Sequence, residues 1–182
     1  MAAEAVLDFW LREVGPARWY RADPALDAAC RARFGDLWKA GAAGRLGGWL
    51  AAPDNALALC ILLDQLPRNM HRGTARAFAS DRAACAAAKR AIALGHDRRM
   101  PPPGRQFFYL PLMHAESLPD QDRCVRLCLL RLAGAGAEQL DHAVRHRAVI
   151  RLFGRFPSRN AALGRPDTPA ERAYRAAGGY MG

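Results

Sequence analysis

Apolar residues recur at α-helical spacing along nearly the whole chain. Val6, Trp10 and Val14 lie four residues apart, and this pattern predicts a first amphipathic helix near the N-terminus. Asp23-Pro24 is typical of a helix start, because aspartate caps free backbone N–H groups and proline suits the first helical position. No alternating run of five or more residues bounded by turn signals predicts a β-strand.

The middle of the chain holds the most apolar helix. Residues 56–66 are apolar on every side of a helix, which is typical of a central, buried element. Pro67 is expected to end this helix, because proline lacks the backbone N–H that helix continuation needs. Two further helices are expected at residues 120–133 and 140–153. Leu130 of the first and Val144 of the second are predicted to face the core.

These patterns predict an all-α fold of about seven or eight helices packed in antiparallel pairs. The length of 182 residues suits a single helical domain over residues 1–182. The longest apolar run covers residues 56–63, whereas a membrane-spanning helix needs about 20 residues. The N-terminus lacks the basic segment of a signal peptide, so we expect a cytoplasmic protein whose five cysteines are reduced.

The formal net charge of +10 is compatible with binding to nucleic acid or to an anionic membrane surface, and all but two of the 27 basic residues are arginine. No block of five basic residues occurs. The densest basic run, at residues 96–99, lacks the interleaved aromatic residues on which nucleic-acid bases stack. The charge therefore favours a small anion, a peptide or a protein as partner, and neither nucleic acid nor a membrane is expected.

Two segments share an arrangement of proline, arginine and asparagine after an apolar helix. The first corner consists of Pro67-Arg68-Asn69 followed by Arg72, and the second corner consists of Pro157-Ser158-Arg159-Asn160 followed by Arg165. In each case a threonine that can cap a helix comes next along the chain. The pattern predicts two similar connections between helices.

Longer motifs around these corners resemble those of a known family. They are Leu63-Asp64-Gln65-Leu66-Pro67-Arg68-Asn69, Phe108-Tyr109-Leu110-Pro111-Leu112-Met113-His114-Ala115-Glu116 and Phe153-Gly154-Arg155-Phe156-Pro157-Ser158-Arg159-Asn160. Over nearly its whole length the chain resembles the bacterial domain-of-unknown-function family 924. The resemblance implies an all-α fold similar to that of tetratricopeptide-repeat proteins, and it implies no established activity.

The first corner gathers polar side chains at the end of a buried helix. Asp64, Gln65, Arg68 and Asn69 need partners there, because an unpaired buried polar group costs about 1–3 kcal/mol. One interpretation is a structural network in which Asp64 pairs with an arginine. The other is a pocket floor where Arg68 and Arg72 hold an anion, since a planar guanidinium binds both oxygens of a carboxylate or phosphate.

Histidines supply the candidates for acid–base chemistry. His114 and Glu116 converge only if the helix ends between them, and a histidine beside a carboxylate is a plausible general base. His142 and His146 lie four residues apart on one helix face, a spacing that can chelate zinc. The glutamate of the zinc-hydrolase motif HExxH is missing, however, so we predict no metal site.

Three hypotheses about function follow. The leading one is a binding module with a concave, arginine-lined pocket for an anionic ligand or peptide, formed by Gln65, Arg68, Asn69, Arg72, Tyr109, Arg155, Arg159 and Asn160. The alternative is an enzyme with hydrolase-type acid–base chemistry that uses His114, His146, Asp64 and Glu116. A purely structural interaction protein is the third, and in it these side chains pair with one another. The sequence has no P-loop, GxSxG or CxxC motif, and no cofactor is expected.

Overall fold

A computed structural model describes residues 1–132 and 136–180 of the chain. The chain divides into two compact units, Met1–Pro111 and Leu112–Gly182, which we call unit 1 and unit 2. The single-domain organisation expected from the length stays a prediction. Each unit contains one of the two corners.

Unit 1 is built around a central helical stretch. Its helices are α1 (Ala2–Leu7), continued by a π-helix (Asp8–Val14), α2 (Pro24–Ala42), α3 (Pro53–Cys60), continued by a π-helix (Ile61–Gln65), α4 (Leu66–Met70) and α5 (Asp81–Ala93). The Asp23 side chain accepts hydrogen bonds from the N–H groups of Ala25 and Leu26 at 2.9 and 3.1 Å, which starts α2 as the sequence predicts.

The apolar run in the middle of the chain forms the core of unit 1. α3 packs against α1 and α5, and the π-helix that follows it packs against α2. Leu57, Ile61 and Leu62 are fully buried. Short 3-10 helices complete the unit at Gly47–Ala51, Ala75–Phe78, His96–Arg99 and Gly104–Phe108. The central, buried helix predicted from the sequence is confirmed.

Pro67 does not end the central helix, and this part of the prediction is wrong. The helix passes from α3 through the π-helix into α4, which ends at Met70. The N–H of Leu66 bonds to the oxygen of Ile61, which lies five residues back, whereas an α-helical bond would reach the residue four positions back. Pro67 therefore falls in the first turn of α4, where a missing N–H costs little.

Unit 2 consists mainly of a helix pair and a C-terminal helix. A short helix, α6 (Leu110–Met113), leads into it, and its further helices are α7 (Leu118–Arg131), α8 (Ala137–Phe153), the 3-10 helix Pro157–Arg159 and α9 (Pro169–Ala176). α7 packs against α8. Thr168 and Glu171 form the capping box that the sequence predicts at the start of α9.

Two residues predicted to face the core of unit 2 are exposed instead. The exposed fraction is 68% for Leu130 and 40% for Val144. Leu130 follows the buried Cys128 by two residues, and Val144 precedes the buried His146 by two. Two residues correspond to about 200° around a helix, so both side chains lie opposite the buried face.

The all-α fold class is confirmed. In residues 1–132 and 136–180, the α- and π-helical segments join into eight continuous stretches, and no β-strand occurs. Over the same residues, no helix is long and apolar enough to cross a lipid bilayer. The likeness to tetratricopeptide-repeat proteins stays a prediction.

Candidate functional site

The π-helix before the first corner sets the position of its buried acid. Asp64 is 1% exposed, and Arg68 donates from Nη2 to Asp64 Oδ1 at 3.1 Å and to Asp81 Oδ1 at 3.0 Å. Gln65 donates to the other oxygen of Asp64. The guanidinium of Arg68 therefore bonds to two carboxylates. Asp64 was a candidate site residue from the sequence, whereas Asp81 was not.

Asn69 and Arg72 connect the first corner to α2. Arg72 donates to both carboxylate oxygens of Asp27 at 2.9 Å and to the Asn69 side-chain oxygen at 2.8 Å. The amide nitrogen of Asn69 donates to the backbone oxygen of Gln65 at 3.4 Å. The corner is thus cross-linked to a helix 45 residues away in sequence by a two-pronged ion pair.

The second corner repeats this cross-link with different residues. Arg165 donates to both oxygens of Glu116 at 2.8 and 2.9 Å and to the Asn160 side-chain oxygen at 3.0 Å. Glu116 also accepts from the N–H of Phe156 at 2.8 Å. Burial raises the pKa of Glu116, but the hydrogen bonds from Arg165 and Phe156 outweigh it, so the pKa lies below its usual range.

Arg155 forms a further two-pronged ion pair within unit 2. It donates to both oxygens of Glu171 at 2.6 and 2.8 Å and to the Pro166 oxygen at 2.9 Å. The Asn160 amide nitrogen donates to Asp167 at 2.7 Å and approaches Glu171 at 3.3 Å. The hydrogen bond from Arg155, with that from the Thr168 N–H, lowers the pKa of Glu171 to about 2.

Carboxylates therefore pair with Arg68, Arg72 and Arg155, which were predicted to line an anion pocket. Arg68, Arg72 and Arg155 each pair with an acid that the sequence analysis did not connect to them, namely Asp81, Asp27 and Glu171. Tyr109, the predicted pocket wall, is fully buried in unit 1 and donates to Asp97 at 2.7 Å. These residues make the contacts that the structural interpretation expects.

Arg159 has different surroundings. Its Nη2 donates to the backbone oxygen of His114 at 2.8 Å, and its guanidinium carbon lies 4.6 Å from the centre of the Phe156 ring. The Phe156 ring also contacts His146, with 5.5 Å between ring centres. The rings of His114 and His146 lie 6.0 Å apart, centre to centre. The structure thus brings three predicted residues together around Phe156, which was not predicted.

His146 is held as a neutral imidazole. Its ring is buried, and its Nδ1 lies 2.8 Å from the backbone oxygen of His142. That oxygen can only accept, so Nδ1 carries the proton and Nε2 carries a lone pair. Burial, followed by the neighbouring His114, lowers the pKa of His146 to about 3, and Arg159 contributes in the same direction.

The C-terminal Tyr180 covers the other side of His146. Its ring centre lies 5.2 Å from that of His146, and its hydroxyl lies 2.9 Å from Nδ1 of His142 and 3.3 Å from Nδ1 of His146. Arg145 lies over the Tyr180 ring. Sequence periodicity gave no signal for this contact, because Tyr180 follows the end of the last helix.

The arrangement of possible metal ligands was also considered for the residues that the structure describes. In the part of the chain that the structure describes, no group of three or more histidine, cysteine, aspartate or glutamate side chains is arranged to hold a metal ion. Glu116 binds Arg165 and the Phe156 N–H, and His114 lies against His146. We therefore take His114, His146, Arg159 and Phe156 together as the candidate site and call them the histidine cluster.

The chain is similar over most of its length to bacterial proteins that are described as of unknown function. A family model for bacterial proteins of unknown function (DUF924) matches residues 6–179. The solved structure of a protein of unknown function from Agrobacterium tumefaciens covers 95% of this chain and 96% of its own, at 43% sequence identity and a TM-score of 0.88. No curated protein matches the chain.

Proposed function

This chain belongs to the DUF924 family of bacterial proteins of unknown function, and we propose that it is a binding protein that holds a carboxylate ligand at the histidine cluster. The proposal narrows the general expectation of an anion-binding module to one cluster in unit 2. It rests on the position of Arg159, the predicted arginine whose guanidinium lies over an aromatic ring beside two histidines.

The contacts of Arg159 support a fixed orientation of its guanidinium. The hydrogen bond to the His114 oxygen and the Phe156 ring hold the side chain on two sides. A guanidinium over an aromatic face gains about 0.5–2 kcal/mol from the cation–π interaction. A planar cation fixed in this way can bind both oxygens of a carboxylate at a small entropic cost.

The electrostatic surroundings of His146 support an anion as the ligand. Burial and the nearby His114 and Arg159 hold its pKa near 3, so the cluster disfavours any further positive charge. A bound anion reverses this effect, because it attracts Arg159 and favours protonation of His146. Binding then takes up protons, and the affinity rises as the pH falls.

The charge of the cluster favours a carboxylate over a phosphate. With His146 neutral, Arg159 carries the positive charge beside the imidazoles, and the nearby Glu116 carboxylate offsets part of it, so the cluster suits one negative charge better than two. Carboxylates occur both on small acids and at the C-terminus of a peptide. Acetate and an N-acetylated dipeptide with a free C-terminus represent these two sources in the experiment.

Isothermal titration calorimetry tests the proposal. We expect wild-type protein to bind one or both carboxylates saturably at pH 5, and to bind them up to about tenfold more weakly at pH 7, because the bound anion raises the pKa of His146 from about 3. Arg159→Gln removes the guanidinium and should weaken binding about tenfold to a hundredfold, which is the usual value of a charge-assisted hydrogen bond.

The matched control is Arg151→Gln. Arg151 is an exposed arginine of α8, so its replacement removes the same charge from unit 2 and should change the affinity less than twofold. Thermal melts followed by circular dichroism show whether each variant folds. Absence of binding to either carboxylate, or equal losses in the two variants, contradicts the proposal.

An enzyme is the second candidate, and the tautomer of His146 favours it. Nδ1 donates to the His142 oxygen, so Nε2 offers the lone pair that a general base needs. A pKa of about 3 makes this nitrogen a weak base at neutral pH, which is why binding is the leading proposal. Turnover of carboxylate or phosphate esters that is lost in folded His146→Gln favours the enzyme instead.

A further inference from the structure

A second group of arginine, histidine and aromatic side chains lies at the first corner in unit 1. The ring centres of His71 and Trp38 are 4.9 Å apart, and the guanidinium carbon of Arg76 lies 5.2 Å from the Trp38 ring centre. Trp38 is buried, and its Nε1 donates to Ser80 Oγ at 2.9 Å. The indole is therefore a fixed platform for both neighbours.

This arrangement resembles the histidine cluster of unit 2. In each unit a histidine packs against an aromatic ring, and an arginine lies over the same ring. Burial lowers the pKa of His71, as it does for His146, and Arg76 lowers it further. The order along the chain differs, because Arg76 follows the first corner whereas Arg159 belongs to the second.

In unit 1 a second arginine, Arg31, also acts on the histidine. Arg31 on α2 donates to the last backbone oxygen of α4 at 3.0 Å, and its charge also lowers the pKa of His71. The groups that Arg31 and Arg76 contact in this way are a carbonyl and an indole ring, and neither carries a charge. Arg72, by contrast, pairs with Asp27. Two positive charges thus act on His71, and each of them lowers its pKa.

Two more observations describe the surroundings of Arg31 and His71. Gly35 lies one helical turn after Arg31, and a Cβ atom built on it meets nothing within 4 Å. Nε2 of His71 is buried and has no hydrogen-bond partner among residues 1–132 and 136–180. A small oxyanion beside this face of α2 can bind the exposed guanidiniums of Arg31 and Arg76, and its charge favours protonation of the nearby His71.

We propose that Arg31, His71 and Arg76 form a binding site for a phosphate dianion, either as free phosphate or as the phosphoryl group of a phosphorylated side chain. Two guanidiniums match two negative charges, and the fork of donors on each suits phosphate oxygens. The site lies in unit 1 and shares no residue with the carboxylate site, so each proposal can fail without the other.

NMR spectroscopy of the imidazole nitrogens tests this proposal, because it reports each of the five histidines separately. Inorganic phosphate and phosphoserine are added at constant ionic strength, with chloride as the reference anion. We expect a saturable change in the His71 signals and an upward shift of the His71 pKa. Preference for phosphoserine indicates a phosphorylated partner, and equal affinity for the two ligands indicates recognition of the phosphoryl group alone.

Substitution of the two exposed arginines shows whether their guanidiniums bind the phosphate. Arg31→Gln and Arg76→Gln should each weaken phosphate binding about tenfold, as expected when one charge-assisted hydrogen bond is lost. Arg45→Gln, which removes an exposed arginine after α2, is the matched control and should leave the affinity within twofold of wild type. A His71 response that chloride reproduces, or that survives in Arg76→Gln, overturns the proposal.

Discussion

Gly35 and Gly41 belong to the same helix, α2, but their surroundings are opposite. A Cβ atom at Gly35 meets nothing within 4 Å, whereas one at Gly41 comes within 3.1 Å of a Leu63 methyl group. Gly35→Ala should therefore raise the free energy of unfolding by about 0.5–1 kcal/mol, because alanine loses less backbone entropy in a helix. Urea denaturation measures this.

Gly41→Ala serves as the counterpart in the same helix. The added methyl group meets the buried side chain of Leu63 and should lower the free energy of unfolding by about 1 kcal/mol or more. Equal changes in the free energy of unfolding for Gly35→Ala and Gly41→Ala would contradict this packing of α2.

His146 makes stability depend on pH. Its pKa is about 3 in the folded protein and about 6.5 in the unfolded chain, so between these values only the unfolded chain binds the proton. Its contribution is complete above pH 6.5 and falls as the pH drops toward 3, with a loss of about 2 kcal/mol between pH 7 and pH 5. His71 acts in the same direction.

Unfolding measured at both pH values checks this expectation. His146→Gln should lose about 2 kcal/mol less than wild type between pH 7 and pH 5, because glutamine does not titrate. If both proteins lose the same free energy, His146 is not held neutral by its surroundings.

Sequence reasoning located the arginines and asparagines of the corners but not most of their partners. The motifs pointed to Arg72 and Arg165 directly, whereas their carboxylates, Asp27 and Glu116, lie 45 and 49 residues away. Periodicity within a helix carries no information on such pairs. The contact of Arg76 with Trp38 was likewise not predictable, because the two residues lie on different elements of the chain.

At the level of elements, the same set of hydrogen bonds joins each of the two corners to a segment that is distant in sequence. In each, an arginine donates to an asparagine oxygen and to both oxygens of a carboxylate. The Asp27 carboxylate is 12% exposed and the Glu116 carboxylate 25%, but the arginines differ more, at 45% for Arg72 and 23% for Arg165. The cross-link of the second corner should therefore contribute more to stability.

Double-mutant cycles measure this difference. For Arg165→Gln and Glu116→Gln we expect a coupling energy of about 1–3 kcal/mol, which is typical of a two-pronged, half-buried ion pair. For Arg72→Gln and Asp27→Asn we expect about 0.5–1 kcal/mol, because water screens the more exposed guanidinium of Arg72. The reverse order contradicts the reading of the corners as stabilising cross-links.

The helices themselves were largely predictable, and the exceptions have local causes. Capping residues such as Asp23 and Thr168 fixed helix starts, because each supplies a bond to a backbone N–H. The passage through Pro67 was not predictable, since the composition of the apolar run does not distinguish bonds that span four residues from bonds that span five. Leu130 and Val144 show that an apolar residue in a helix need not face the core.

At the level of the whole molecule, the net charge of +10 should add a long-range component to anion binding. Raising NaCl from 0.05 to 0.5 M shortens the screening distance to well under 10 Å. We expect the affinity for carboxylates to fall several-fold, with most of the change in the association rate, as stopped-flow or surface plasmon resonance measures. An affinity independent of salt excludes an electrostatic origin of the binding.

The central claim is that a carboxylate binds beside Arg159 and His146, and the pKa of His146 tests it most directly. NMR titration of the His146 imidazole between pH 2.5 and pH 7 is performed with and without saturating N-acetylated dipeptide. We predict that the ligand raises the His146 pKa by about one to three units, the usual effect of an opposite charge within a few ångströms. We also predict that Arg159→Gln abolishes the rise. A His146 pKa that stays the same in the presence of bound ligand contradicts the account.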